Sequence, residues 1–66
     1  MNNSQKMLEV LDQQDLAKAD TYFQKAVDED SDEILLELAS YLEGIGFYPQ
    51  ARQIYEKLAP VFPEVN

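Results

Sequence analysis

Apolar residues recur along this chain at intervals of three and four, in four blocks separated by short polar or glycine-bearing breaks. That period belongs to an α-helix with one buried face. In the first block, from about Ser4 to Asp12, Met7, Leu8, Val10 and Leu11 form one stripe, and Ser4 is placed to cap its start. The second block, from about Leu16 to Asp28, carries Leu16, Ala19, Tyr22, Phe23, Ala26 and Val27 on its apolar face, with Asp15 as N-cap. The third opens with Asp30-Ser31-Asp32-Glu33, a variant of the capping box with Asp in place of Ser or Thr. Its stripe is Ile34, Leu35, Leu38, Ala39, Tyr41 and Leu42, and it ends at Gly44-Ile45-Gly46, where both glycines can take positive φ. The fourth starts near Pro49, presents Ala51, Ile54, Tyr55 and Leu58, and stops at Pro60, which lacks the N–H a helix needs.

No segment alternates with the period of two that a strand requires. The pattern predicts an all-α fold of two stacked antiparallel helical hairpins with short turns. The hairpins also resemble each other. Residues 17–27, AKADTYFQKAV, superpose without gaps on residues 49–59, PQARQIYEKLA, so that Ala19 meets Ala51, Phe23 meets Tyr55 and Ala26 meets Leu58. The preceding helices align as Met7, Leu8, Val10 and Leu11 against Leu38, Ala39, Tyr41 and Leu42, which makes the first inter-helix turn one residue the shorter. A helical hairpin occurring twice points to a stacked-repeat architecture, here one domain over 1–66 with approximate repeats 4–31 and 32–63.

Residues 32–63 resemble a tetratricopeptide repeat. Leu35, Leu38, Ala39, Leu42, Gly46, Tyr48, Ala51, Tyr55 and Pro63 stand where that family places its large, small, aromatic and closing residues. Leu58 occupies a place where Ala is usual. Residues 4–31 match less closely, with Asp15 near the expected Gly and Ser31 in place of the closing Pro. The chain is also similar to the N-terminal repeats of longer bacterial tetratricopeptide proteins. The resemblance implies small Ala51 for close helix approach, Tyr48 and Tyr55 packed around it, and a partner-binding groove lined by the first helix of each hairpin. The residues at those places are Gln5, Glu9 and Asp12, then Glu33, Leu36, Glu37, Ser40 and Glu43. Acids stand where some family members carry the Lys, Arg and Asn of a carboxylate clamp. The favoured partner is therefore a protein or peptide of basic or apolar character.

Composition narrows the functional classes. At 66 residues the chain buries only ~60% of the surface it exposes when unfolded. Without cysteine or histidine it has neither disulfides nor the usual zinc and copper ligands, so no metal or cofactor is expected. A net charge of −8 opposes binding to nucleic acid or anionic membranes. There is no long apolar run or signal-peptide pattern, and a cytoplasmic location is the expectation.

Catalysis is not expected: Ser4, Thr21, Ser31 and Ser40 have no imidazole to activate them. Asp28, Asp30 and Asp32 imitate the start of a calcium loop, but Glu33 and Ala39 stand where that loop needs Gly and Glu. A solvated acidic turn is the expected role of 28–33. The alternative function is an acidic decoy that covers a basic surface of another protein through these residues. Two repeats also leave an uncapped end, so Tyr41, Ile45, Ile54, Leu58, Val61 and Phe62 are expected to form a self-association surface. It would serve a homodimer, or the next repeat of a longer array.

Overall fold

A computed structural model describes residues 1–60. Four α-helices follow one another, α1 (Asn3–Asp12), α2 (Leu16–Glu29), α3 (Asp32–Gly44) and α4 (Tyr48–Leu58), and there is no strand among the described residues. The chain divides into two compact units, one ending at Ser31 and the other opening at Asp32. In the first, α1 packs on α2; in the second, α3 packs on α4. The fold is all-α, in two helical hairpins.

In the first unit Met7 and Val10 of α1 are buried, as are Ala19, Phe23 and Ala26 of α2. Leu8, Leu11, Tyr22 and Val27 flank them at partial exposure. In the second unit Leu35, Leu38, Ala39 and Leu42 of α3 are buried, together with Ala51, Ile54 and Leu58 of α4. Alanines at 19, 26, 39 and 51 keep these faces narrow, so that paired helices can approach closely.

Three residues expected to pack inward, Leu16 and Tyr41 on apolar faces and Tyr48 around Ala51, lie outside. Leu16 and Tyr48 are 64% and 65% exposed, and Tyr41 is 51% exposed. Leu16 and Tyr48 are each the first residue of the second helix in their hairpin, where the turn has only begun to lead the chain back toward the core. Tyr41 sits at the edge of the α3 stripe, one position from buried Leu42 and roughly 100° around the helix from it.

The two turns share one hydrogen-bond pattern. In the first, the Gln14 amide donates to the Leu11 carbonyl (2.9 Å) and the Asp15 amide to that of Val10 (2.9 Å). In the second, Gly46 donates to Glu43 (3.2 Å) and Phe47 to Leu42 (2.8 Å). Both are Schellman closures, which need a left-handed residue just past the helix. Gly46 supplies it at φ 88°, and Gln14 supplies it at φ 62°. This corrects the alignment drawn from sequence. The first turn is not shorter, and Val10 corresponds to Leu42 as Ala19 does to Ala51. Of the glycines expected to take positive φ, only Gly46 does; Gly44 closes α3 in helical conformation.

A left-handed side chain costs about 1–2 kcal/mol, of which glycine gives part back through its freer unfolded state. Gln14→Gly is therefore expected to raise stability by about 0.5–1 kcal/mol, read as a higher urea midpoint at unchanged m-value. Gly46→Ala should cost about 1 kcal/mol from backbone strain alone, since an added Cβ at Gly46 meets nothing within 4 Å. A fall in midpoint for Gln14→Gly would show that its side chain contributes more than its strained backbone costs.

Candidate interaction faces

Helix starts decide which acids are free to bind and which serve the fold. α1 begins one residue before Ser4, and its N-cap is Asn2. The Gln5 amide donates to Asn2 Oδ1 (2.7 Å) and the Asn2 amide to Gln5 Oε1 (2.9 Å), a reciprocal capping box. Ser4 is not a cap but a buried residue, 5% exposed. Its amide and hydroxyl both donate to Asp30 Oδ2, at 2.8 and 2.7 Å. Asn3 adds its amide (3.4 Å) and Nδ2 (3.1 Å) to Asp30 Oδ1.

Asp30 thus joins the end of α2 to the start of α1, satisfying amides that the first helical turn leaves without partners. The expectation that Asp30 belongs to a merely solvated turn is overturned. Burial pushes its carboxyl pKa up, but the donors from Ser4 and Asn3 outweigh that and hold it below the ordinary carboxylate value. Asn3 Nδ2 also donates to Glu29 Oε1 (3.3 Å). Asp15 caps α2 as expected, accepting from the Lys18 amide at 3.0 Å.

The expected groove residues separate into free and engaged groups. Gln5, Glu9 and Asp12 are exposed and follow one another at helical spacing on α1, but Gln5 is occupied by the capping box. On α3, Glu33, Glu37 and Ser40 are exposed and Leu36 is half-buried. Glu43 is exposed, and its Oε1 accepts the Tyr55 hydroxyl at 2.8 Å. Burial, then the hydrogen bond and negative charge of Glu43, raise the Tyr55 phenol above its ordinary pKa. Of the expected self-association surface, Tyr41 and Ile45 are exposed. Ile54 and Leu58 are fully buried and belong to the core, because they lie on the α4 face that also carries Ala51. Val61 and Phe62 lie outside the described residues, as does Pro63.

Two features escaped the sequence reading. The ammoniums of Lys6 and Lys25 stand 5.9 and 5.7 Å from the centre of the Tyr22 ring, bringing two of the chain's few cations together on the first unit. The other feature is a charge gap: no Lys or Arg occurs between Lys25 and Arg52, so α3 carries Asp32, Glu33, Glu37 and Glu43 with no cation.

No family model matches the chain, and no curated protein or solved structure matches it. Among the described residues no three carboxylates are grouped to hold a metal ion, and no helix is long and apolar enough to cross a membrane. Two hydroxyls serve structure: that of Ser4 donates to Asp30 Oδ2 at 2.7 Å, and that of Thr21 donates back to the Ala17 carbonyl at 3.2 Å.

Proposed function

We propose that this chain is a noncatalytic protein-interaction module of the tetratricopeptide type, which captures a basic segment of a partner protein on the exposed face of α3. The observation that carries this reading is the state of Glu33 and Glu37. Both are exposed, one turn apart on a helix without cations, and among the described residues neither is engaged by a hydrogen bond or ion pair. Carboxylates already tied to the fold would lose those contacts on binding; these two would not. Their charge is available to steer and hold a cationic partner.

The decoy alternative draws less support. Within 28–33, Asp30 is committed to Ser4 and Asn3, and Glu29 accepts from Asn3. Neutralising Asp30 would damage the fold before it reported on binding.

Charge reversal at Glu33 and Glu37 tests the proposal, and it avoids Glu43, whose loss would also break the Tyr55 contact. Binding of a Lys-rich peptide, followed by fluorescence anisotropy, should weaken about tenfold or more and lose most of its salt dependence, while helicity stays unchanged. Unchanged affinity in the double variant would reject the α3 face as the binding site.

A further inference from the structure

The exposed face of α3 is not uniform along its length. Glu33, Glu37, Tyr41 and Ile45 stand four residues apart, and all four are exposed. The Ile45 amide still donates to the Tyr41 carbonyl (3.1 Å), so Ile45 continues the helical row although it lies just past the last residue of α3. Residues at this spacing form a single ridge on a helix surface. From Glu33 to Ile45 the row extends about 18 Å along the helix axis and winds about 120° around it. Its first half is two free carboxylates; its second half is a half-exposed Tyr and an Ile, 51% and 45% accessible.

From this ridge we infer a bipartite binding site for an amphipathic helical segment whose apolar and basic side chains are segregated lengthwise. Two large apolar side chains one turn apart would cover Tyr41 and Ile45. Lys or Arg side chains one and two turns further along would meet Glu37 and Glu33. The inference rests on the proposed interaction role of α3 and adds the order of the partner's chemistry.

Charge decides which occupant fits. A second copy of this chain laid on the ridge would bring another α3, with four more carboxylates and no cation, against the first. Like charges brought face to face oppose association. A purely basic segment would leave Tyr41 and Ile45 in water, and a purely apolar one would desolvate Glu33 and Glu37 without pairing them, which is costly. Only a segment carrying both, on separate stretches, matches the whole row.

The test uses the full 66-residue chain and two designed helical peptides of identical composition. One carries two Leu one turn apart followed by two Lys one turn apart; the other interleaves them, Leu, Lys, Leu, Lys, at the same spacing. Because a helix can dock in either direction, segregation against interleaving is the discriminating variable. The segregated peptide is expected to bind about tenfold tighter, and to shift the amide resonances of Glu37, Tyr41 and Ile45. Tyr41→Ala/Ile45→Ala should erase that preference while leaving the weaker attraction of Lys, and Glu33→Gln/Glu37→Gln should remove the salt dependence. Equal binding of both peptides, with Glu33 and Glu37 still required, would overturn the bipartite site and leave the acidic interaction face standing. Binding indifferent to both pairs of substitutions would overturn the site and the proposed function together. Light scattering on the free chain adds one outcome: a dimer whose formation shifts Tyr41 and Ile45 would also overturn the inference, by showing a second copy on the ridge.

Discussion

Asp30→Ala is expected to cost about 2–3 kcal/mol of folding stability, a large change for a single residue at the edge of a helix. The carboxylate accepts from the Ser4 amide, the Ser4 hydroxyl and two donors of Asn3. Its removal deprives α1 of an acceptor at its first turn and leaves a buried hydroxyl without its partner. That second loss dominates, because an unpaired buried donor forfeits its full desolvation cost. Ser4→Ala removes the same hydroxyl, so the double variant should be less destabilised than the sum of the single ones. Additive losses in urea titrations would show that the Ser4 hydroxyl and Asp30 act independently.

The same contact sets an acid limit on the first hairpin. Asp30 has a folded pKa below its ordinary value of 3.8, so its contribution is fully present above that value and is lost as pH falls through the depressed folded value. Below about pH 4, the wild-type chain should lose stability more steeply than Asp30→Asn, which keeps an acceptor oxygen but carries no charge to titrate. Parallel acid slopes for the two proteins would contradict the assignment.

The second large effect is expected at Phe23. Its ring is almost wholly buried, the largest such side chain in the core, on the α2 face that also buries Ala19 and Ala26. The small neighbours cannot fill the space it would leave. Phe23→Ala should therefore cost about 3–5 kcal/mol through lost transfer energy and a residual cavity. A chain of 66 residues has about 3–10 kcal/mol in total, so the first hairpin is expected to melt or nearly so. Phe23→Leu, which keeps more of the volume, should retain a cooperative thermal transition at a lower midpoint. If Phe23→Ala melted within a few degrees of wild type, the ring would not hold α2 to α1.

How much of this was legible beforehand differs residue by residue. The helical period of Met7 and Val10, of Ala19, Phe23 and Ala26, and of Leu35, Leu38 and Leu42 located the elements, because a helix with one buried face must repeat every three or four residues. The Asp15 cap and the stop at Pro60 followed from local chemistry alone. The first turn was not legible, since Gln14 in a left-handed conformation has no sequence signature comparable to the glycine at 46. The exposed row on α3 was spelled out in the spacing of residues 33, 37, 41 and 45. The sequence divides it between two expected surfaces, Glu33 and Glu37 in a groove and Tyr41 and Ile45 in a self-association patch, and Tyr41 also falls at the margin of the apolar stripe, where periodicity does not say which side of the boundary a residue takes.

The sequence by itself determined the helical class, the four blocks, the absence of disulfides and the strongly acidic charge. These are fixed by residue type and short-range spacing. Only the tertiary structure decided which carboxylates remain available. Asp30, twenty-six residues away from Ser4 along the chain, is drawn to it by the closure of the first hairpin, and Tyr55 holds Glu43 across the second. Glu33 and Glu37 have no hydrogen-bond or ion-pair partner among the described residues. A carboxylate's role depends on what folding places within about 3 Å of it, and neighbours along the chain do not specify that.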